Sequence, residues 1–204
     1  MDNQIPEQEH GAAKDIKKQI VMETLDDAED MFLLAKERLL SVNDWKKMID
    51  GNSAHFQLSD THGEPLHRHA HLGDYIKIDL PGPGSIAGKN KDWVKIEAIA
   101  YDDYPDENGE SILLQLRPVA APNTDNEHTA HFLKDEATST IQIKRWGKIV
   151  AAYYYGRNEI PNTDTGNVLD TVRNLAVATT SILALSSVQW TNLLESLLKT
   201  DELE

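Results

Sequence analysis

The sequence predicts an α+β fold: a curved antiparallel sheet or small barrel of six to seven strands, preceded by a long and a short helix and closed by a long C-terminal helix. Three observations carry it. Thr138 to Arg145 and Lys148 to Tyr155 read as a tight hairpin turning at Trp146-Gly147. Apolar residues from Leu169 to Leu197 keep helical spacing. Between these ends and the first helix, the apolar period is two, bounded by clusters of Gly, Pro, Asn and Asp.

In order along the chain, Met1 to Lys14 is polar and aperiodic, and residues 1-14 are expected to be a flexible tail. From Asp15, a candidate N-cap, Val21, Leu25, Ala28, Phe32, Ala35 and Leu39 recur at helical steps. Asn43 reads as the cap of a short helix stopped by Gly51. His55 to Leu58 begins the sheet, and Leu66 to Leu72 is a poor strand. Tyr75 to Leu80 is a better one, ended by Pro81-Gly82-Pro83-Gly84. Trp93 to Tyr101 and Ser111 to Val119 flank Asn108-Gly109, the strongest short hairpin signal in the chain. His128 to Leu133 is a further strand. After the polar elbow at Arg157 to Asn162, Thr165 or Asp164 caps the final helix, which places Leu175, Ile182, Trp190 and Leu193 on one buried stripe. Residues 15-199 form one domain, and 200-204 an acidic tail.

Composition narrows the function classes. Of 204 residues, 40% are hydrophobic, enough for a core without staples. With no cysteine, thiolate zinc sites, iron–sulfur clusters and a cysteine nucleophile are excluded. The net charge of −14 opposes phosphate backbones and anionic lipids, so no nucleic-acid and no membrane partner is expected. The start Met1-Asp2-Asn3-Gln4 carries no basic, then apolar, leader pattern, so a cytoplasmic location is expected.

Several groups bear on chemistry. His67, His69 and His71 alternate, and on a strand they would share a face and could hold a metal. The run does not continue into a cupin motif, because no glutamate follows where one is needed. Gly82 to Lys89 is one residue too long for a P-loop and has Asn90 where Ser or Thr is required. Asp102, Asp103, Asp106, Glu107 and Glu110 crowd one loop without the order of a calcium-binding EF-hand. No nucleophile elbow is present, no catalytic residue is assigned and no cofactor is expected. Tyr153 and Tyr155 share one face of the last strand. With Arg157, Asn158 and Glu159 they are the candidate ligand-binding residues, able either to line a pocket beneath the final helix or to tie down backbone.

The element order is similar to that of helix-grip proteins, which bind lipids, hormones and polyketides. That resemblance implies a cavity between the sheet and the last helix. The first strand of that fold has no evident counterpart in Met1 to Lys14, so a small barrel with both long helices outside is the preferred architecture. Two function classes follow. The first is a non-catalytic interaction protein that self-associates, or binds a protein partner, through its long helices, with a homodimer seam at Val21, Leu25, Ala28, Phe32, Ala35 and Leu39. The alternative is a small-molecule-binding or catalytic cavity under the C-terminal helix.

Overall fold

Thr24 sets the start of the first helix. Its hydroxyl accepts from the Asp27 backbone N–H at 3.0 Å, and the Asp27 carboxylate accepts from the Thr24 N–H at 3.0 Å. This is a reciprocal capping box with Asp in place of the usual Glu. The computed structural model describes residues 5–49, 54–79, 91–104, 107–122, 136–160 and 187–200. In it the helix, α1, spans Leu25–Leu40, and Asp15 to Val21, expected to open it, belong instead to a strand, β1, over Ala12–Val21. Ala12 to Lys14, expected in a flexible tail, are therefore the first residues of that strand. Val21 and Leu25 fall at helical spacing by coincidence, which disguised the boundary.

A 3₁₀ turn over Val42–Asp44 and a short helix α2 over Trp45–Met48 follow. Then come β2 (His55–Ser59), β3 (Tyr75–Asp79), β4 (Lys91–Tyr104), β5 (Gly109–Val119), β6 (Thr138–Trp146) and β7 (Ile149–Glu159). A last helix, α3, covers 187–197. The strands form one antiparallel sheet in the order β1-β7-β6-β5-β4-β3-β2. β1 and β2 lie at opposite edges and do not pair, so the sheet is open and the preferred barrel is corrected. The missing first strand was β1, which adds itself to the free edge of β7.

Local details depart from expectation for physical reasons. The β4–β5 hairpin forms, but Tyr104 pairs with Gly109, so the connection is four residues long and Gly109 is already strand. Asn108 takes the left-handed conformation, φ 47°. The β6–β7 turn sits at Gly147, φ 55°, where glycine carries no penalty. Leu66 to Leu72 is not a strand. It is pinned as irregular backbone by Leu66 N–H to Leu58 O and Ala70 N–H to Leu40 O, both 2.9 Å. Asn43 does not cap a helix by its side chain. Its amide donates to Leu66 O at 2.7 Å and accepts from Leu58 N–H at 2.8 Å. The expected strand at His128 to Leu133, the connector at Gly82 to Lys89, Gly51 and the final helix through Leu175 and Ile182 lie outside the described residues.

One face of the sheet is apolar in register: Leu114 opposite Ile141 opposite Tyr154 opposite Ile16, and Ile112 opposite Ile143 opposite Ala152. Against this face α1 buries Ala28, Phe32, Ala35 and Leu39 completely, and α3 buries Leu193, Leu194 and Leu197. The seam expected to meet a second copy is thus covered by the chain's own sheet. Its outliers, Val21 and Leu25, stay exposed. Arg38, only 7% exposed, joins the two helices by donating to Leu197 O at 3.3 Å and Lys199 O at 2.5 Å. Among the described residues no helix is long and apolar enough to cross a membrane.

Burial of Leu193 between α3 and the sheet makes a direct prediction. Leu193→Ala lowers the unfolding free energy by about 2–5 kcal/mol, read from urea denaturation. An unchanged midpoint would contradict this packing.

Candidate ligand site on the concave face

Strand parity on β7 decides which tyrosine faces the helices. Tyr154 is in register with Ile141 and Ile16 and points into the core. Tyr153 and Tyr155 point the other way. On the outer face their rings stack, with centroids 5.8 Å apart and planes 4° apart. Lys17 lies 5.5 Å and Lys144 6.0 Å from the Tyr153 ring, and Arg157 lies 5.4 Å from Tyr155. Neither of these two tyrosines is on the face that α3 covers.

Arg157 binds the Asp15 carboxylate and donates to Gly156 O at 2.8 Å. Asn158 is the pivot of the strand end. Its Oδ1 accepts from Glu9 N–H at 2.8 Å and His10 N–H at 3.1 Å, while its own N–H donates to Gln8 Oε1 at 2.9 Å. This clamp holds Asn158 in the left-handed region, φ 54°. Asn tolerates that conformation because its short side chain bonds local backbone. The result is a bulge: Gly156 pairs with Lys14 but Glu159 pairs with Ala12.

The bulge breaks the alternation and turns Glu159 inward, where it is 4% exposed. Its carboxylate folds over Gly156. A Cβ on Gly156 would lie 2.3 Å from Glu159 Oε1, so only glycine leaves this seat. Glu159 Oε1 accepts from the Tyr154 hydroxyl at 3.2 Å, and Tyr154 Oη is 3.0 Å from Ser139 Oγ. Trp190 of α3 stacks on the Tyr154 ring, centroids 4.6 Å apart. Glu159 Oε2 is buried and has no hydrogen-bond partner.

A second buried acid on the same face provides the contrast. Glu110 Oε1 accepts from Arg145 Nε at 2.8 Å, and Oε2 accepts from Tyr101 at 3.0 Å. Both of its oxygens are used, so that pair is structural. Three buried hydroxyls also lack partners, those of Ser59, Thr138 and Thr140. They are neutral, and an unmet hydroxyl costs less than an unmet carboxylate oxygen.

His67, His69 and His71 are exposed, and the strand that would align them is absent. His69 Nε2 lies 3.2 Å from Glu37 Oε2. Among the described residues no three His, Asp or Glu side chains are grouped as metal ligands. A groove of about 730 Å³ lies between β1 and the end of α3, lined by Lys18, Ile20, Glu195 and Leu198. Lys18 and Glu195 bridge it at 2.5 Å, and neither Tyr154 nor Glu159 lines it.

No protein-family model and no curated protein matches this chain. Solved structures similar to it include major latex-like protein 151 from Panax ginseng, at 10% identity and a TM-score of 0.39, over 85% of this chain and 96% of that one. Truncated norcoclaurine synthase from Thalictrum flavum is 11% identical with a TM-score of 0.36, over 95% and 99%. Protein Ms6760 from Mycobacterium smegmatis is 12% identical with a TM-score of 0.43, over 94% and 93%. The fold described here rests on the strand order and on α1 and α3 seated on one sheet face.

Two measurements check the site. Burial, then the charge of Glu159, pushes the Tyr154 phenol well up, while burial and the bond to Glu110 push Tyr101 up to about 12. A phenol that holds its proton more tightly when folded contributes stability that is whole below the unfolded value of about 10 and is lost as pH rises through the folded one. In an alkaline absorbance titration, Tyr154→Phe should leave the curve unchanged until the chain unfolds; an earlier loss of signal would place Tyr154 in solvent. Gly156→Ala should lower stability by about 1–3 kcal/mol in urea, since the methyl displaces the carboxylate. A glycine with open space would instead gain slightly.

Proposed function

We propose that this chain binds a small, largely apolar molecule between the concave sheet face and the C-terminal helix. One observation carries the reading. Among the described residues the helix-covered face is apolar apart from the paired Glu110 and Arg145 and a connected polar chain, Ser139–Tyr154–Glu159, which faces α3 and ends in an unpartnered carboxylate oxygen. Ligand sites have this composition: apolar walls with a few placed polar groups. The other buried acid of this face, Glu110, has both carboxylate oxygens engaged, by Arg145 and Tyr101.

The competing reading, self-association through long helices, loses its main support. The Ala28, Phe32, Ala35 and Leu39 face is occupied within the chain. Tyr153, Tyr155, Arg157 and Asn158 serve the sheet edge and the N-terminal clamp in this reading, and Glu159 alone of the five candidates reaches the site. The net charge of −14 favours a small-molecule partner over nucleic acid.

Equilibrium titration with Nile red, a neutral apolar dye, tests the proposal. Saturable one-to-one binding with a blue-shifted emission is expected. Linear uptake without saturation would contradict it.

A further inference from the structure

We propose that the free edge of β1 receives an extended, acidic segment of a partner protein, which adds a further strand to the sheet. Backbone, groove and charge all point there. Among the described strands, β1 pairs only with β7. Met22, just past its end, donates its N–H to Lys148 O at 2.9 Å. Backbone groups of an antiparallel strand alternate sides, so Ile20, Lys18 and Ile16 also turn theirs to β7. Val21, Gln19, Lys17 and Asp15 therefore direct their N–H and C=O groups away from the sheet. That row is a template for an incoming backbone.

The groove of about 730 Å³ between β1 and the end of α3 lies along this edge, and Ile20 and Leu198 supply its apolar lining. Side chains of an added strand alternate between two faces. One set enters the groove and meets Ile20 and Leu198. The other lies on the outer face beside Lys17 and Val21, which is 67% exposed. Charge selects that second set. β1 carries Lys14, Lys17 and Lys18 against Asp15 alone, in a chain of net charge −14. Arg157 holds Asp15, and Glu195 holds Lys18. The Lys17 ammonium rests against the Tyr153 ring and has no carboxylate partner among the described residues. An acid on the added strand would pair with it across the edge. A second copy's β1 would instead bring the same three lysines, a composition that keeps edges from pairing with themselves. The fitting segment thus alternates apolar with acidic residues.

Isothermal titration calorimetry of the full chain tests this with two end-blocked peptides of about seven residues, one alternating Val and Glu, the other Val and Lys. At about 0.15 M salt, fields fade within about 8 Å, so charges at the edge rather than the net charge rank the two. The Val–Glu peptide should bind saturably, and the Val–Lys peptide at least about fivefold more weakly. Lys17→Glu should abolish that preference. Gln19→Pro removes an edge-facing N–H and leaves the bonds to β7 in place, so it should weaken the Val–Glu peptide at least about tenfold. The ranking on the unaltered chain needs no variant, so it stands even if a substitution impairs folding. No saturable binding of the Val–Glu peptide up to about 1 mM, equal binding of the Val–Lys peptide, or unchanged binding to folded Gln19→Pro overturns the proposal. Sedimentation showing a dimer that Gln19→Pro dissolves would give the edge to a second copy and overturn the acidic partner as well.

Discussion

Arg38 is the residue on which the grip depends. The last carbonyls of any helix lack intrahelical donors, and they carry the negative end of its dipole. In α3 those groups are met by a guanidinium rising from the buried face of α1, which reaches Leu197 O and Lys199 O. A buried charge is tolerable there because its donors are spent on carbonyls. The Arg38 carbonyl in turn accepts from Trp45 Nε1 at 3.1 Å, so α2 is hooked to the same point. Three helices are thereby fixed to one side of one sheet. Only then does Trp190 of α3 come to rest on Tyr154.

At the far edge a second constraint shapes the site. Asn158 is clamped by the segment Glu7 to His10, and its left-handed backbone reverses the side-chain alternation of β7. Without that bulge, Glu159 would face outward beside Tyr155 and Arg157. With it, the carboxylate swings over Gly156 and joins Tyr154. The two buried acids described on this face then differ in kind. Glu110 is fully partnered by Arg145 and Tyr101, whereas Glu159 keeps one oxygen unmet.

Much of the fold was legible because period-two alternation and turn residues are local signals. The hairpins around Asn108 and Gly147 and the strand at Tyr75 follow from them, and the burial of Leu193 follows from helical spacing. β1 was not legible, since Val21 and Leu25 happen to continue the spacing of α1, and the Thr24–Asp27 box departs from its commonest form. An open sheet could not be told from a barrel without that strand. The site was half legible. Arg157, Asn158 and Glu159 stood out as a polar junction, but the inward tyrosine was missed. Parity would have found it: Tyr154 shares its face with Ala152 and Val150, while Tyr153 and Tyr155 share theirs with Arg157. The inward turn of Glu159 depends on a positive φ that no periodicity encodes, though Asn at that position is a hint.

The central claim is that Glu159 serves a ligand rather than the fold, and ligand-free stability tests it most directly. An unpartnered buried charge detracts from stability, so its neutral isostere should not. Urea denaturation of ligand-free Glu159→Gln is expected to give a midpoint equal to or above that of the unaltered chain, with the same slope. A loss of more than about 2 kcal/mol would show the carboxylate to be a structural partner and contradict the account.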